Sequence, residues 1–389
     1  MITTDDNVRL GAEALRRGDA RAARESFSKA LNAGRIDAAG LLGLAYACRM
    51  LKDTQGESVA VDRLLTLDPR NVRGLILKGD RLAAEGQLRS AASFYLAALR
   101  NAPPPQQLTP DLAAELERAR RACETYSRQF QSYLSEQLGA RGFDPETSSR
   151  RFAESVDILT GRKRIYLQQP KYYYFPGLPQ IQFYDREQFP WLDQVEAATD
   201  EIRAELLEVM RDPNAFAPYV QGDPNRPRKD QAGMLNNPEW SAFYIWKNGK
   251  LIAENAERCP RTLAALKDVP LAHVTNRSPS VLFSLLKPHA RIPPHNGFVN
   301  TRLICHLPLL VPGRAMFRVG NEVRQWQEGR AWVFDDTIEH EAWNEADQTR
   351  VILLFEVWRP ELSEEERRLV TALFETIDAL EGGAREWTI

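Results

Sequence analysis

A chain of 389 residues with a formal net charge of -2 has length for two or three domains of about 150 residues each, and its charge argues against a dominant nucleic-acid or anionic-membrane surface. Its longest apolar runs, such as "RVILLFEVW", fall well short of the ~20 residues that cross a bilayer, so neither nucleic acid nor membrane is an expected partner. Cys48, Cys123, Cys259 and Cys305 are scattered without zinc or CxxC spacing and no secretory leader opens the chain, which makes free thiols in the cytoplasm the expectation.

The first 140 residues repeat. Gly11, Ala45 and Gly79 stand 34 positions apart, the tetratricopeptide period, and other columns keep the register: Gly18 with Gly86, Ala23 with Ala91, Phe27 with Val61 and Tyr95, Ala30 with Ala98, Pro69 with Pro103. Small residues let paired antiparallel helices approach, and the large apolar residue fills the gap between neighbouring repeats. The second repeat is degenerate, with Lys52 and Glu57 where a glycine and an alanine are usual. Thr109 and Pro110 read as N-cap and first residue of a long helix to about residue 138 that caps the stack. A helical spacer and a concave peptide-binding groove are both compatible with this pattern. The expected domains are 1–140, a helical solenoid, and 141–389.

"GRKR" at 161–164 reads as a solvated turn, and Tyr172, Tyr173 and Tyr174 in "KYYYFPGLPQIQFYD" as core residues with one free to line a cleft. A helix is expected over 194–211. Past residue 280 short strands dominate. "MFRVGNEVRQW" is a hairpin around Gly320-Asn321, and "RAWVFDDT" and "RVILLFEVW" are further strands. This spacing suggests a jelly-roll barrel or sandwich, making the whole an α + β multidomain chain. From Ser363 a capping box with Glu366 starts an amphipathic helix running towards Gly382-Gly383.

Two of the chain's five histidines lie in "PHNGFVNTRLICHLPLL", where His295 precedes a strand carrying Arg302 and His306. His340 follows "FDDTIE", between two strands, and Arg350 opens the last strong strand. A barrel can bring His295 beside His340, neutral imidazoles suit ferrous iron, and a neighbouring arginine suits a dicarboxylate. In many non-haem iron sites a carboxylate stands two residues after the first histidine; here Gly297 does. Asp335 and Asp336 shape the loop before His340, with hydrogen bonding to a ligand histidine as their functional version. His273 and His289 read as structural or exposed.

Residues 165–362 resemble the aspartyl/asparaginyl beta-hydroxylase family of iron(II)- and 2-oxoglutarate-dependent oxygenases. The likeness rests on "YYYFPGLP", "WSAFYIWKNGK", "PHNGFVNTRLICHL" and "FDDTIEHEAWNEADQTRVILLFEVWRPEL" in order. It implies a double-stranded β-helix with flanking helices. It also implies His295 and His340 as iron ligands, with glycine usual at the Gly297 position and water in the vacant place. Arg350 matches the arginine on the distal carboxylate of 2-oxoglutarate, Ser284 and His306 line that co-substrate, and Trp240 lies near the active site. Ile304 departs from the family, which often has arginine there; Arg302, two residues back on the same face, is placed to compensate.

The implied activity is a dioxygenase that uses Fe(II), 2-oxoglutarate and O2 to hydroxylate an aspartyl or asparaginyl side chain of a peptide or protein, releasing succinate and CO2. The repeats would recruit that substrate. The alternatives are a halogenase, an oxygenase of a lipid or small molecule, and a tetratricopeptide scaffold carrying an inactive barrel.

Overall fold

The computed structural model describes residues 4–34, 36–222 and 233–380. The chain divides into two compact units, Met1–Arg162 and Lys163–Ile389. The first is helical. Six helices form three successive pairs: α1 (Thr4–Arg16) and α2 (Ala20–Asn32), α3 (Ala38–Met50) and α4 (Thr54–Leu67), α5 (Val72–Ala84) and α6 (Leu88–Arg100). Odd helices begin 34 residues apart and so do even ones, the period read from the sequence. Four of the starts are fixed by side-chain caps, Asp19, Asp37, Asp53 and Asn71, each accepting from the backbone N–H three residues on.

The small-residue columns have a steric cause. A Cβ on Gly11 would come within 2.8 Å of the Phe27 ring, and one on Gly79 within 2.6 Å of the Tyr95 ring, so each aromatic occupies the space a side chain would need on its partner helix. Glu57, at a column otherwise alanine, is buried and pairs with Arg49 at 2.7 Å. α7 (Pro110–Gly139) follows, capped by Thr109, and then α8 (Arg150–Leu159). The helical unit therefore extends past the expected boundary at residue 140: Phe152 on α8 packs edge-on against Phe143, and Gln131 on α7 donates to the Thr160 carbonyl.

In the second unit the stretch expected as one helix is two, α9 (Leu192–Ala197) and α10 (Thr199–Met210), followed by α11 (Ala253–Glu257) and α12 (Pro260–Ala265). The strands are β1 (Ala217–Pro218), β2 (Trp240–Lys247), β3 (Lys250–Leu251), β4 (Val281–Leu286), β5 (Arg291–His295), β6 (Arg302–Leu310), β7 (Ala315–Val319), β8 (Glu322–Gln325), β9 (Trp332–Phe334), β10 (His340–Asn344) and β11 (Arg350–Trp358). They form two antiparallel sheets. The larger has the order β1-β2-β4-β11-β6-β9 with β3 on β2; the smaller is β5-β10-β7-β8. Gly320-Asn321 turns β7 into β8 as expected, with Gly320 at φ +55.

Strand alternation sorts the core. Leu303, Cys305, Leu307 and Leu309 on β6, with Val351, Leu353, Phe355 and Val357 on β11, share a cluster with α9 and α10 residues such as Leu192 and Leu206. The opposite face contributes Ile304 and Ile352 to a second cluster with Ile292, Phe317 and Ala342 of the smaller sheet. The catalytic candidates lie on that inter-sheet face. α13 (Glu364–Leu380) closes the described chain and opens with the expected capping box, Ser363 and Glu366 bonding each other reciprocally. Its expected end at Gly382-Gly383 lies outside the described residues. Among those residues no helix is long and apolar enough to cross a membrane.

Gly18, Lys52 and Gly86 all stand in the left-handed region, at φ +78, +59 and +78. Only Lys52 bears a Cβ there. Lys52→Gly should stabilise the helical unit by roughly 0.5–1 kcal/mol, the left-handed penalty less the entropy glycine adds to the unfolded chain. A denaturation midpoint for that unit that stays put or falls would contradict this.

Candidate active site

Antiparallel pairing of β10 with β5 sets His340 opposite His295, with ring centroids 4.1 Å apart. Each Nδ1 faces a carbonyl two residues earlier in its own chain, His295 that of Pro293 at 2.8 Å and His340 that of Ile338 at 3.1 Å. A carbonyl only accepts, so each Nδ1 carries the hydrogen and each Nε2 keeps its lone pair. Burial, with the neighbouring His340 ring, pushes His295 down to about 3, and burial pushes His340 down to about 4. Both rings are neutral near pH 7. Two bare imidazole nitrogens side by side are a donor set for a divalent transition ion. Among the described residues no group of three or more His, Cys, Asp or Glu is placed to hold a metal.

Gly297 has a physical explanation. A Cβ there would overlap the carboxylate of Asp336, and the Gly297 N–H donates to the Asp336 carbonyl at 2.6 Å. The space a side chain would need is filled by a carboxylate from the loop between β9 and β10. Asp336 Oδ2 accepts from Arg302 Nη1 at 3.0 Å, while its Oδ1 is buried without a hydrogen-bond partner among the described residues. Arg302 Nε lies 3.1 Å from Glu356 Oε1, close enough for charge pairing though off the hydrogen-bond axis. Glu356 Oε2 accepts from Ser278 Oγ at 2.7 Å and Ser280 N at 2.9 Å. A buried carboxylate, guanidinium, carboxylate series thus runs from β11 through β6 to the loop beside Gly297.

Elsewhere on the same face stands Arg350, 1% exposed, with no ion pair among the described residues. Its Nη1 donates to the Ser284 carbonyl at 3.2 Å, its guanidinium lies 4.4 Å over the Trp326 ring, and its Nε has no partner. Burial alone pushes it down to about 9. His306 is buried nearby with an unpartnered Nδ1, and burial and the Arg350 charge hold it well below its ordinary value. Trp240 donates to Ser284 Oγ at 3.2 Å, stacks on Tyr219 at 4.0 Å and sits 6.0 Å from the His295 ring.

All seven residues singled out from the sequence, His295, His340, Arg350, Ser284, His306, Trp240 and Arg302, line one cavity of about 90 Å³. Arg302 differs from expectation in one respect: its guanidinium is engaged by Asp336 and Glu356. Glu356, Tyr219 and Trp326 also line the cavity and were not foreseen. Alternation from Arg350 through Ile352 and Leu354 would have found Glu356; no local signal marks the other two. Tyr172 and Tyr174, expected in the core, are half-exposed. They belong to a strap whose backbone clasps both histidine loops, Gln169 donating to Thr337, Lys171 to Gly297 and Tyr172 to Phe298. Asp335 shapes its loop as expected, accepting from the Thr337 N–H and hydroxyl and pairing with buried Arg359 at 3.1 Å.

Gly297→Ala should push Asp336 off Arg302 and cost roughly 1–3 kcal/mol, the range for overpacking a filled interior. Thermal melting of wild type and variant measures it, and an unchanged midpoint would refute the steric account.

Residues 196–360 match the family described as Aspartyl/Asparaginyl beta-hydroxylase. An "Ornithine lipid ester-linked acyl 2-hydroxylase" of Rhizobium tropici is 33% identical over 180 residues, covering 46% of this chain and 60% of that protein. The "Aspartyl/asparaginyl beta-hydroxylase" of Homo sapiens is 34% identical over 145 residues, covering 37% of this chain and 19% of that protein. The chain thus spans less than two thirds of these curated relatives. Among solved structures, KdgF from Halomonas sp. aligns at 15% identity with a TM-score of 0.21, covering 32% of this chain and 84% of that one. Residues 196–360 of this chain are thus similar to the aspartyl/asparaginyl beta-hydroxylase family.

Proposed function

We propose that the second unit is a double-stranded β-helix dioxygenase that binds Fe(II) and 2-oxoglutarate and hydroxylates an aspartyl- or asparaginyl-type side chain of a peptide or protein. The overall reaction consumes 2-oxoglutarate, O2 and a C–H bond and yields succinate, CO2 and a C–OH. The observation that carries this reading is Arg350, a buried guanidinium with no carboxylate partner among the described residues, in a cavity that also holds two neutral, lone-pair-bearing imidazoles. An unpaired buried cation is costly, and a dicarboxylate would satisfy it.

The residues fit the proposed groups. His295 and His340 would hold the metal through Nε2, since their Nδ1 atoms are already committed. Bound iron supplies the redox chemistry of oxygen activation. Arg350 binds the outer carboxylate of 2-oxoglutarate, with His306 Nδ1 as a further unused polar atom. Trp240 fixes the Ser284 hydroxyl and, with Phe317, Phe334 and Ile352, walls the cavity against water. Arg302 holds Asp336 in place.

We read the helical unit as a tetratricopeptide array that recruits the substrate, in keeping with its 34-residue recurrence, and the cytoplasm as its compartment. The likeness to the ornithine lipid hydroxylase favours a second reading, in which the C–H bond belongs to a lipid acyl chain.

Purified protein with ferrous iron, ascorbate, air and a mixed peptide pool should form succinate from 2-oxoglutarate, and His295→Ala and His340→Ala should abolish it. Arg350→Met should raise the 2-oxoglutarate concentration for half-maximal rate by about a hundredfold, as expected for losing roughly 3 kcal/mol of charge-assisted hydrogen bonding. Absence of succinate with every pool, together with absence of 2-oxoglutarate-dependent metal binding without oxygen, would reject the enzyme and favour a scaffold.

A further inference from the structure

Among the described residues, the charged side chains that line the cavity are two cations and two anions: Arg302, Arg350, Asp336 and Glu356. Arg302 is shared between the two carboxylates. Arg350 is the remaining cation, and under the proposed function it serves the co-substrate. Ile304, between Arg302 and His306 on the same face of β6, adds only hydrocarbon. A divalent ion and the 2-oxoglutarate dianion cancel each other, so a substrate carboxylate would meet no uncommitted cation among the described lining residues, the Lys171 charge acting on both histidines from outside that lining.

The site also states what it lacks. Asp336 lines the cavity, and its Oδ1 is buried and unpartnered among the described residues, an acceptor in want of a donor. A carboxamide offers two N–H donors and no charge; a carboxylate offers acceptors only and would face Asp336 as a like charge.

We propose that the group received beside the metal position is a carboxamide rather than a carboxylate, so that this chain acts on asparaginyl-type and not aspartyl-type side chains, with Asp336, Arg302, Glu356 and Ile304 as the determinants. The proposal rests on the dioxygenase reading and narrows its substrate class.

The test loads the full chain with Mn(II) and 2-oxoglutarate and follows the proton relaxation of two probes, acetamide and acetate, by NMR. Relaxation of acetamide should be enhanced and saturable, with acetate weaker by roughly tenfold, the discrimination that about 1.4 kcal/mol provides. Asp336→Asn removes the charge and supplies its own donor, so it should erase the preference. Glu356→Gln releases Arg302 from one carboxylate and should admit acetate; being isosteric, it guards against a variant that fails to fold. Equal enhancement of the two probes in wild type, none for either, or a preference for acetate overturns the proposal. A preference unchanged in both variants, each folded by circular dichroism, also overturns it. Failure of the dioxygenase reading shows separately, as Mn(II) affinity indifferent to 2-oxoglutarate.

Discussion

The second unit depends on the burial of Arg302. A guanidinium withdrawn from water is tolerable only while its carboxylates stay beside it, and Arg302 draws one from β11 and one from the loop before β10. That loop leads directly to His340. Through Asp336 the same cation reaches Gly297, two residues beyond His295, so one ion-pair series fixes both histidine-bearing segments. The backbone strap over Gly297 and Thr337 adds a neutral clamp to the same loops.

The cavity separates its tasks by charge and by strand. Neutral imidazoles come from the smaller sheet, while Arg350, Ser284 and His306 come from the larger. Tight packing on both faces of β6 and β11 keeps this division, because slipping either strand by one residue would exchange polar cavity residues with the apolar face that meets α9 and α10. Stability and chemistry are therefore written on alternate residues of the same two strands.

Much of this was legible in the sequence because it is periodic or local. The 34-residue recurrence survives even where Lys52 and Glu57 break its consensus, since the caps and the Phe27 and Tyr95 seats are set within each pair. The Gly320-Asn321 hairpin and the Ser363 capping box are likewise decided by a few adjacent residues. What escaped was long-range or negative. Arg302 could be placed on the cavity face by alternation, but its engagement by Asp336 and Glu356, 34 and 54 residues away, follows only from strand register. The end of the helical unit was set too early because the polar stretch after α7 hides a further helix. Of the three tyrosines expected in the core, Tyr173 packs on a buried cluster, whereas Tyr172 and Tyr174 stay half-exposed because their strap is held by backbone hydrogen bonds.

Each histidine is oriented by a main-chain carbonyl of its own segment, that of Pro293 or Ile338, and not by another side chain. Main-chain oxygens are indifferent to most substitutions around them. Cavity residues such as Ile304, Phe317 or Leu354 can therefore change identity over evolutionary time without disturbing the tautomer of either imidazole. Such changes would reshape the cavity wall while the two imidazoles keep the same orientation.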